Sequence, residues 1–270
     1  MRRIELEELK QIQMQILDEV VAFCEKENIK YWLDSGTLIG AVRHKGYIPW
    51  DDDIDLGMLR PDFERFMATF NREDSPYRFR SYENDKTFPY PYGKVLDTRT
   101  VLYEPDKNGE KLSVNIDIFV FDNAPDDDKR LKKMYDKRDK YRARNAVQAL
   151  RHKPRGNALR RLFIYLCKGV LKLFPRNHFI GKMVKNSKKY ADASTARVGN
   201  FTGFIRASCD RRVFDDFVKL EFEGKKYNAP VGYDEWLRAF YGDYMQLPPE
   251  EKRVSHHQFE AYREEEKENV

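Results

Sequence analysis

Near the start of the chain, apolar residues recur at helical intervals. Leu9, Ile12, Ile16, Val20 and Phe23 lie three or four positions apart, with Glu, Lys and Gln between them. One apolar stripe of this kind predicts an amphipathic helix, ending near Asn28. The pattern then shortens. "YWLD" (31–34) reads as a brief strand, and Gly36 to Val42 as a turn that opens a short helix. "DIDLGML" (53–59) reads as a strand, followed by a helix whose first turn holds Pro61. "YRFRSY" (77–82), "YGKVLD" (92–97) and "VNIDIFVF" (114–121) predict further strands. The first half is therefore expected to be one sheet with helices around it.

The pattern changes again after Asp126. Residues 129–189 hold 21 Lys and Arg against two acids, Asp136 and Asp139, a net of +19. The whole chain carries a formal +5, so the remainder is net acidic. Inside the basic stretch, "ALRRLFIYLCKGVLKLF" (158–174) is apolar and basic together. Leu159, Leu162, Phe163, Leu166, Val170, Leu171 and Phe174 form one helical stripe, flanked by Arg160, Arg161, Lys168 and Lys172. Such a helix can lie in the headgroup plane of an anionic bilayer, or pack its stripe on the rest of the protein. Later, "KLEFEGKKYNAP" (219–230) reads as a hairpin, and 232–253 as a helix followed by a proline-stopped turn. The expected organisation is a catalytic core over 1–125, a basic helical insertion over 126–200, a part completing the catalytic domain over 201–258, and a frayed tail over 259–270.

Composition narrows the class. A chain of 270 residues, 41% hydrophobic, with 18 Phe and 16 Tyr, can build a sizeable core, which excludes bulk disorder. Cys24, Cys167 and Cys209 lie far apart with no Cys-x-x-Cys, which argues for a reducing compartment and against a disulfide scaffold. The N-terminal "MRRIELEELKQIQ" has no apolar run of a secretory signal, and no stretch of about 18 apolar residues predicts a spanning helix. The expected location is cytoplasmic, with a peripheral position at the inner face of the plasma membrane.

The candidate chemistry lies in "GTLIGAVRHKGYIPWDDDIDLG" (36–57). Asp51, Asp52, Asp53 and Asp55 are crowded beside an apolar strand. Alternate residues of a strand share a face, so Asp51, Asp53 and Asp55 are expected to point one way and Ile54 and Leu56 toward the core. Carboxylates at i and i+2 suit a hard divalent cation, which removes their repulsion. A solvated acidic turn is the ordinary alternative, but it gives no reason for Asp55 within an apolar strand. In "VNIDIFVF", Asn115 and Asp117 share the face opposite Val114, Ile116, Ile118 and Val120. Asp117 is then a third ligand, or else the ion-pair partner of Arg99 or Lys94. Ser35, Gly36 and Thr37, with Gly40 beyond, form a small-residue turn that lets amides and hydroxyls approach an anion. Arg43, His44 and Lys45 can supply charge to phosphate oxygens, a solvated basic loop being the alternative.

These residues resemble the signature of the LicD family, which is associated with phosphocholine transfer to cell-surface glycans and related to the fukutin-related ribitol-phosphate transferases. "YGKVLDTRT" (92–100), "NIDIFVFD" (115–122) and "VGYDEWLRAFYGDYMQLPPEEKR" (231–253) are similar to the family as well. The resemblance implies an α+β, nucleotidyltransferase-like mixed sheet flanked by helices. It implies a Ser35–Gly36 turn and an Asp53/Asp55 pair that bind a metal–nucleotide, with Asp117 as the third carboxylate. Family members of that fold usually carry Gly before Ser, so Ser35 and Thr37 both remain candidates for the phosphate-facing hydroxyl.

The resulting expectation is a Mg²⁺-dependent phosphotransferase, with Mn²⁺ as the alternative ion. It would move phosphocholine from CDP-choline, or a similar CDP-alcohol, to a sugar hydroxyl of a lipid-linked glycan or teichoic acid precursor, releasing CMP. Asp117 is its candidate base or ligand. Arg43, His44 and Lys94 are its phosphate holders. Trp50, Tyr90, Tyr92 and Trp236 are available to cage a quaternary ammonium, against ordinary core packing. His256, His257, Glu104 and Asp122 are noted without a role. Nucleotidyl transfer, releasing pyrophosphate, is the rival within the enzyme class. A basic nucleic-acid binder or nuclease is the rival outside it, but the basic stretch lacks aromatic-interleaved RNA motifs, so no nucleic acid partner is expected.

Overall fold

A computed structural model describes residues 1–103, 111–151, 153–254 and 259–263. The chain opens with β1 (Arg2–Ile4) and α1 (Leu6–Lys26), then β2 (Trp32–Leu33), α2 (Ser35–Arg43), β3 (Asp55–Leu59) and α3 (Arg60–Thr69). Next come β4 (Tyr77–Arg80), β5 (Gly93–Asp97), β6 (Thr100–Tyr103), β7 (Lys111–Leu112) and β8 (Asn115–Ala124). Three helices follow, α4 (Asp128–Ala149), α5 (Ala158–Leu171) and α6 (His178–Ser187). The remainder is β9 (Arg197–Gly199), β10 (Ser208–Asp210), β11 (Phe217–Phe222), β12 (Lys225–Pro230), α7 (Tyr233–Tyr241) and β13 (Glu260–Arg263). This is the α+β class expected from the patterning.

The ten-residue β8 is the axis of the main sheet. β3 runs parallel along one edge, from Asp55 opposite Asp117 to Leu59 opposite Phe121. On the other edge β5 pairs antiparallel with its first half and β9 with its last residues. β2, β4 and β10 extend the sheet outward. α1 lays its stripe, Leu9, Ile12, Ile16, Val20 and Phe23, into the core as the spacing predicts. Phe63 and Phe66 of α3 and Trp236 and Leu237 of α7 complete that core. Pro61 occupies the first turn of α3, where its missing N–H costs nothing. β11 and β12 form the expected hairpin, closed by Glu223 and Gly224, both at positive φ.

Two expectations are corrected. The strand read as 53–59 begins at Asp55, because its ladder with β8 starts there. The 259–270 segment is not wholly frayed. Its residues 260–263 are β13, which sits between β1 and β6 in a separate four-stranded sheet.

The chain leaves the main sheet at the end of β8, runs through α4, α5 and α6, and returns through β9 to pair with β8 itself. α4 is fixed by Arg138, fully buried, which donates to Ile205 O at 2.7 Å and Phe204 O at 3.2 Å. α5 is capped by Asn157, whose side chain accepts from Arg160 N at 2.9 Å, and buries no residue fully.

Arg60, at the start of α3, holds Asp122 of β8 with two bonds of 2.7 and 2.8 Å and Glu83 with a third of 2.6 Å. Lys188 reaches Glu83 at 2.5 Å. Asp122 thus has a structural partner for each oxygen. Removing one partner of a buried pair leaves the other charge uncompensated, at a cost of about 3–5 kcal/mol. Asp122→Ala is accordingly expected to lose about that much in urea unfolding. A loss under about 1 kcal/mol would show that the pair is not a main tie between α3 and the sheet.

Candidate active site

The parallel register of β3 on β8 places Asp55 beside Asp117. Asp55 is buried, and its backbone is pinned on both sides. Its N–H donates to Thr37 Oγ1 at 2.9 Å, and its carbonyl accepts from Asp34 N at 2.9 Å. Burial pushes its carboxyl well above the usual range, and the Asp53, Asp117, Asp34 and Asp51 carboxylates push it further. Just before the strand, Asp51, Asp52 and Asp53 bring carboxylate oxygens within 4.8 Å of one another. Neighbours on a strand point to opposite faces, so three consecutive carboxylates converge because this segment lies outside the β3 ladder, after the turn at residues 49–50. The expected alternation of Asp51, Asp53 and Asp55 along one strand face therefore does not apply.

Asp117 has the ordinary partner that its position allows. Lys94 Nζ pairs with it and donates to Asn115 Oδ1 at 2.9 Å, while Arg99 is taken by Asp97 at 2.7 Å. Lys94 is buried, and its ammonium also lies 4.9 Å from the Tyr90 ring centroid and 5.6 Å from that of Tyr92. A cleft of about 50 Å³ opens among Gln13, Asp52, Asp53, Lys94, Asn115 and Asp117.

The N-terminus of α2 abuts this cluster. A Cβ at Gly36 would stand 2.5 Å from Asp51 Oδ2, so glycine is what admits the carboxylate. Ser35 opens the helix at φ 50°, in the left-handed region, and its hydroxyl donates to Asp34 Oδ2 at 3.3 Å. Arg43 and His44 lie at the other end of α2, about 12 Å along the axis at the helical rise. Arg43 donates to Tyr244 O at 2.6 Å and to His44 Nδ1 at 3.4 Å. Burial and the Arg43 charge lower the His44 pKa, which favours its neutral form. The structure therefore gathers Ser35, Gly36, Thr37, Asp53, Asp55, Asp117 and Lys94, and sets the backbones of Arg43 and His44 apart. Lys45 sits 3.8 Å from Glu221.

Sequence reasoning missed Asp34. It is fully buried at the N-cap of α2 and accepts from Trp236 Nε1 at 2.7 Å. Burial pushes its carboxyl up to about 6, against the pull of the Trp236 and Ser35 bonds. Tyr241 was missed too. The residue is 39% exposed, but desolvation at its hydroxyl end raises its phenol, as do the Asp55 and Asp34 charges, while a bond with Ser35 opposes them. The signal for Asp34 was its place directly before the Ser–Gly turn. Of the proposed cage residues, Trp236 is core, packed on Phe121 and Phe214. Trp50 lies 5.8 Å below the Arg253 guanidinium. Glu104, His256 and His257 lie outside the described residues.

Residues 28–157 match the family described as LicD/FKTN/FKRP, nucleotidyltransferase domain. The chain is 31% identical over 265 residues to lipopolysaccharide cholinephosphotransferase LicD of Haemophilus influenzae, covering 97% of this chain and 99% of that one. The chain belongs to the LicD family. Shorter likenesses reach ribitol 5-phosphate transferase FKRP of Homo sapiens, 49% identical over 43 residues (16% of this chain and 9% of that one). They also reach ribitol-5-phosphate transferase FKTN of Mus musculus, 29% over 94 residues (34% and 17%). As a LicD relative it is a phosphotransferase. The family-model match spans Asp34, the three clustered aspartates, Lys94 and Asp117, and stops before α5, whereas the match to the Haemophilus influenzae protein covers nearly the whole chain.

A carboxyl raised by burial favours the fold while it is protonated, and that contribution is lost as pH rises through its folded value. For Asp34, raised from 3.8 to about 6, the loss falls between pH 4 and 7. Asn at position 34 still accepts from Trp236. Asp34→Asn is therefore expected to gain about 2–3 kcal/mol on the wild type between those limits. Parallel stability–pH curves in EDTA for the two proteins would rule this out.

Proposed function

We propose that this LicD-family enzyme transfers phosphocholine from CDP-choline to a sugar hydroxyl of a cell-surface glycan or teichoic acid precursor, with release of CMP. The near full-length likeness to a cholinephosphotransferase supports the reaction class. The observation that carries the site is geometric: the buried Asp55 stands in register beside Asp117, with the clustered Asp51, Asp52 and Asp53 carboxylates just before it in the chain. All-oxygen donors with surplus negative charge suit Mg²⁺, or Mn²⁺ in its place. Asp53, Asp55 and Asp117 would hold it, with Asp51 and Asp52 at hand in the same segment. When bound, a divalent cation neutralises charge on the donor pyrophosphate.

The chain's own residues do the rest. Ser35, Gly36 and Thr37 offer the helix N-terminus to a phosphate. Lys94 holds a phosphate oxygen and keeps Asp117 in place. Arg43 and His44, at the far end of α2, would serve the nucleotide end of the donor, Arg43 exchanging its bond to Tyr244 O for one to the donor. The acceptor hydroxyl forms a bond to the phosphorus bearing choline, its proton passes to Asp117, and the bond to CMP breaks. The sheet around β8 would be the nucleotidyltransferase-like core, with residues 1–125 and 201–258 as one domain. The return of the chain to β8 supports reading 126–200 as an insertion. Because the matched family description names a nucleotidyltransferase domain, nucleotidyl transfer is the second reading. Pyrophosphate rather than CMP as product would establish it.

The protein would also work at a membrane surface. Among the described residues no helix is long and apolar enough to cross one. On α5, however, Leu159 is 77% exposed, Phe163 66% and Leu166 62%. A second copy would bring two strongly basic regions together, whereas an anionic bilayer takes both the apolar stripe and its cations. Such docking would suit a lipid-linked acceptor.

Two measurements check these readings. Incubated with CDP-choline, Mg²⁺ and acceptor, the protein should release CMP. Asp53→Asn and Asp55→Asn should lower turnover on the order of 10²–10³-fold while remaining folded. Full activity after EDTA treatment would sink the metal reading. Asp117→Asn should lose activity without collapse. A large stability loss with activity kept in the folded fraction would instead make Asp117 a structural partner of Lys94. For the membrane, Phe163→Glu with Leu166→Glu should release the protein from anionic vesicles and spare turnover on a soluble acceptor. No preference of the wild type for anionic over neutral vesicles at low salt would refute that contact.

A further inference from the structure

Gln13 lies among Leu9, Ile12, Ile16 and Leu17 on the buried face of α1. A buried primary amide costs free energy unless both of its ends are bonded. Here both are. Its Oε1 accepts from the Tyr47 hydroxyl at 3.0 Å. Its Nε2 donates to Asp52 O at 2.9 Å and to Asn115 O at 3.4 Å. The two carbonyls belong to the two segments whose carboxylates meet in the cleft, the 51–53 acids and the start of β8. Gln13 lines that cleft beside Asp52, Asp53 and Asp117.

This bridge falls where the backbone most needs one. β3 begins at Asp55, so residues 51–53 lie ahead of its ladder. They are held at single points instead. Asp51 N donates to Ile48 O at 2.8 Å, Asp117 N donates to Ile54 O at 2.9 Å, and Gln13 holds Asp52 O between them. Tyr47 is fixed in its turn. Its N–H donates to Glu223 Oε1 at 3.0 Å, and its ring centroid lies 5.1 Å from that of Phe222 and 4.5 Å from the Lys10 ammonium. The contacts therefore run from the β11–β12 hairpin through Tyr47 and Gln13 to the acid cluster. A methionine of similar volume at position 13 would pack the core without making them.

We propose that Gln13 is a positioning residue of this enzyme, one that braces the 51–53 acids against Asp117. The consequence is for the cation. Carboxylates on a loose segment must be ordered when an ion binds, and a brace already in place removes that cost. The matched family model begins at residue 28, so α1 supplies the brace from outside it. The assignment rests on the metal reading for its consequence, but not for the brace itself.

Wild type, Gln13→Met and Tyr47→Phe are compared as full chains. Hydrogen exchange in EDTA reads the brace. Both variants should exchange faster over residues 47–55 and at the wild-type rate over α6. Equal exchange over 47–55 in wild type and variants would overturn the proposal. Titration with Mn²⁺ alone reads the consequence. Gln13→Met should bind about three- to tenfold more weakly, the range that one net hydrogen bond supplies. Tyr47→Phe should lose less, and should add nothing in the Gln13→Met background, because Tyr47 acts through Gln13. Wild-type Mn²⁺ affinity in Gln13→Met would overturn the proposal and leave Gln13 a packing residue, as would additive losses in the double variant. Tyr47→Phe removes one oxygen, and carries both measurements should Gln13→Met fail to fold. If the wild type takes up no Mn²⁺ while the exchange difference holds, the metal reading falls and the positioning stands.

Discussion

The parallel pairing of β3 with β8 brings Asp55 and Asp117 side by side in a place that water barely reaches, and the surroundings are arranged about that charge. Two like charges about 5 Å apart repel by roughly 3 kcal/mol even at an effective dielectric of 20. Lys94 answers one of them, and the Thr37 hydroxyl fixes the backbone of the other. The three clustered aspartates then add negative charge instead of relieving it, and the absence of a Cβ at Gly36 leaves room for the Asp51 carboxylate where it stands. An arrangement of this kind is poor for stability alone. It becomes reasonable once a cation or an anionic substrate with its cation is counted among the groups to be satisfied.

β8 itself provides the contrast. Asp122, further along the strand, is as buried as a carboxylate can be, yet each oxygen meets an arginine nitrogen in bidentate geometry. Its partners tie α3, the 81–88 loop and the end of α6 to the sheet. The same residue type on one strand is thus fully paired at one end and crowded by its own kind at the other. The kind of neighbour, rather than burial, separates them: Asp122 faces an arginine on both oxygens, while Asp117 has Lys94 on one side and the Asp55 strand on the other.

Much of this was legible in the sequence, for identifiable reasons. Helical spacing located α1 and alternation located β3 and β8, because each buries one face against the core; α5 shows the same helical spacing although its stripe stays exposed. Asp55, Asp117 and Ser35–Thr37 were recognisable because acids and small polar residues interrupt segments that otherwise read as buried. What escaped notice depends on distant pairing. Nothing local marks Asp34 as a partner of Trp236, or β13 as the strand between β1 and β6. The aspartate segment was read as strand because alternation is blind to where a ladder begins. The reach of Arg43 toward the segment after α7 likewise follows from a contact 201 positions away.

Those long separations bear on how the enzyme comes into being. Trp236 meets Asp34 across 202 positions, and Lys225 meets Asp18 across 207. A nascent chain emerging from a ribosome can form α1, α2 and β3 early. It cannot close the wall behind Asp34 until α7 has been synthesised. Contacts this remote in sequence are slow to form and leave intermediates with exposed apolar surface. The exposed stripe of α5 would be present in those intermediates well before that wall is complete. The wall behind Asp34 is thus among the last parts of the site that synthesis can complete, because its closing residue, Trp236, is 202 positions downstream.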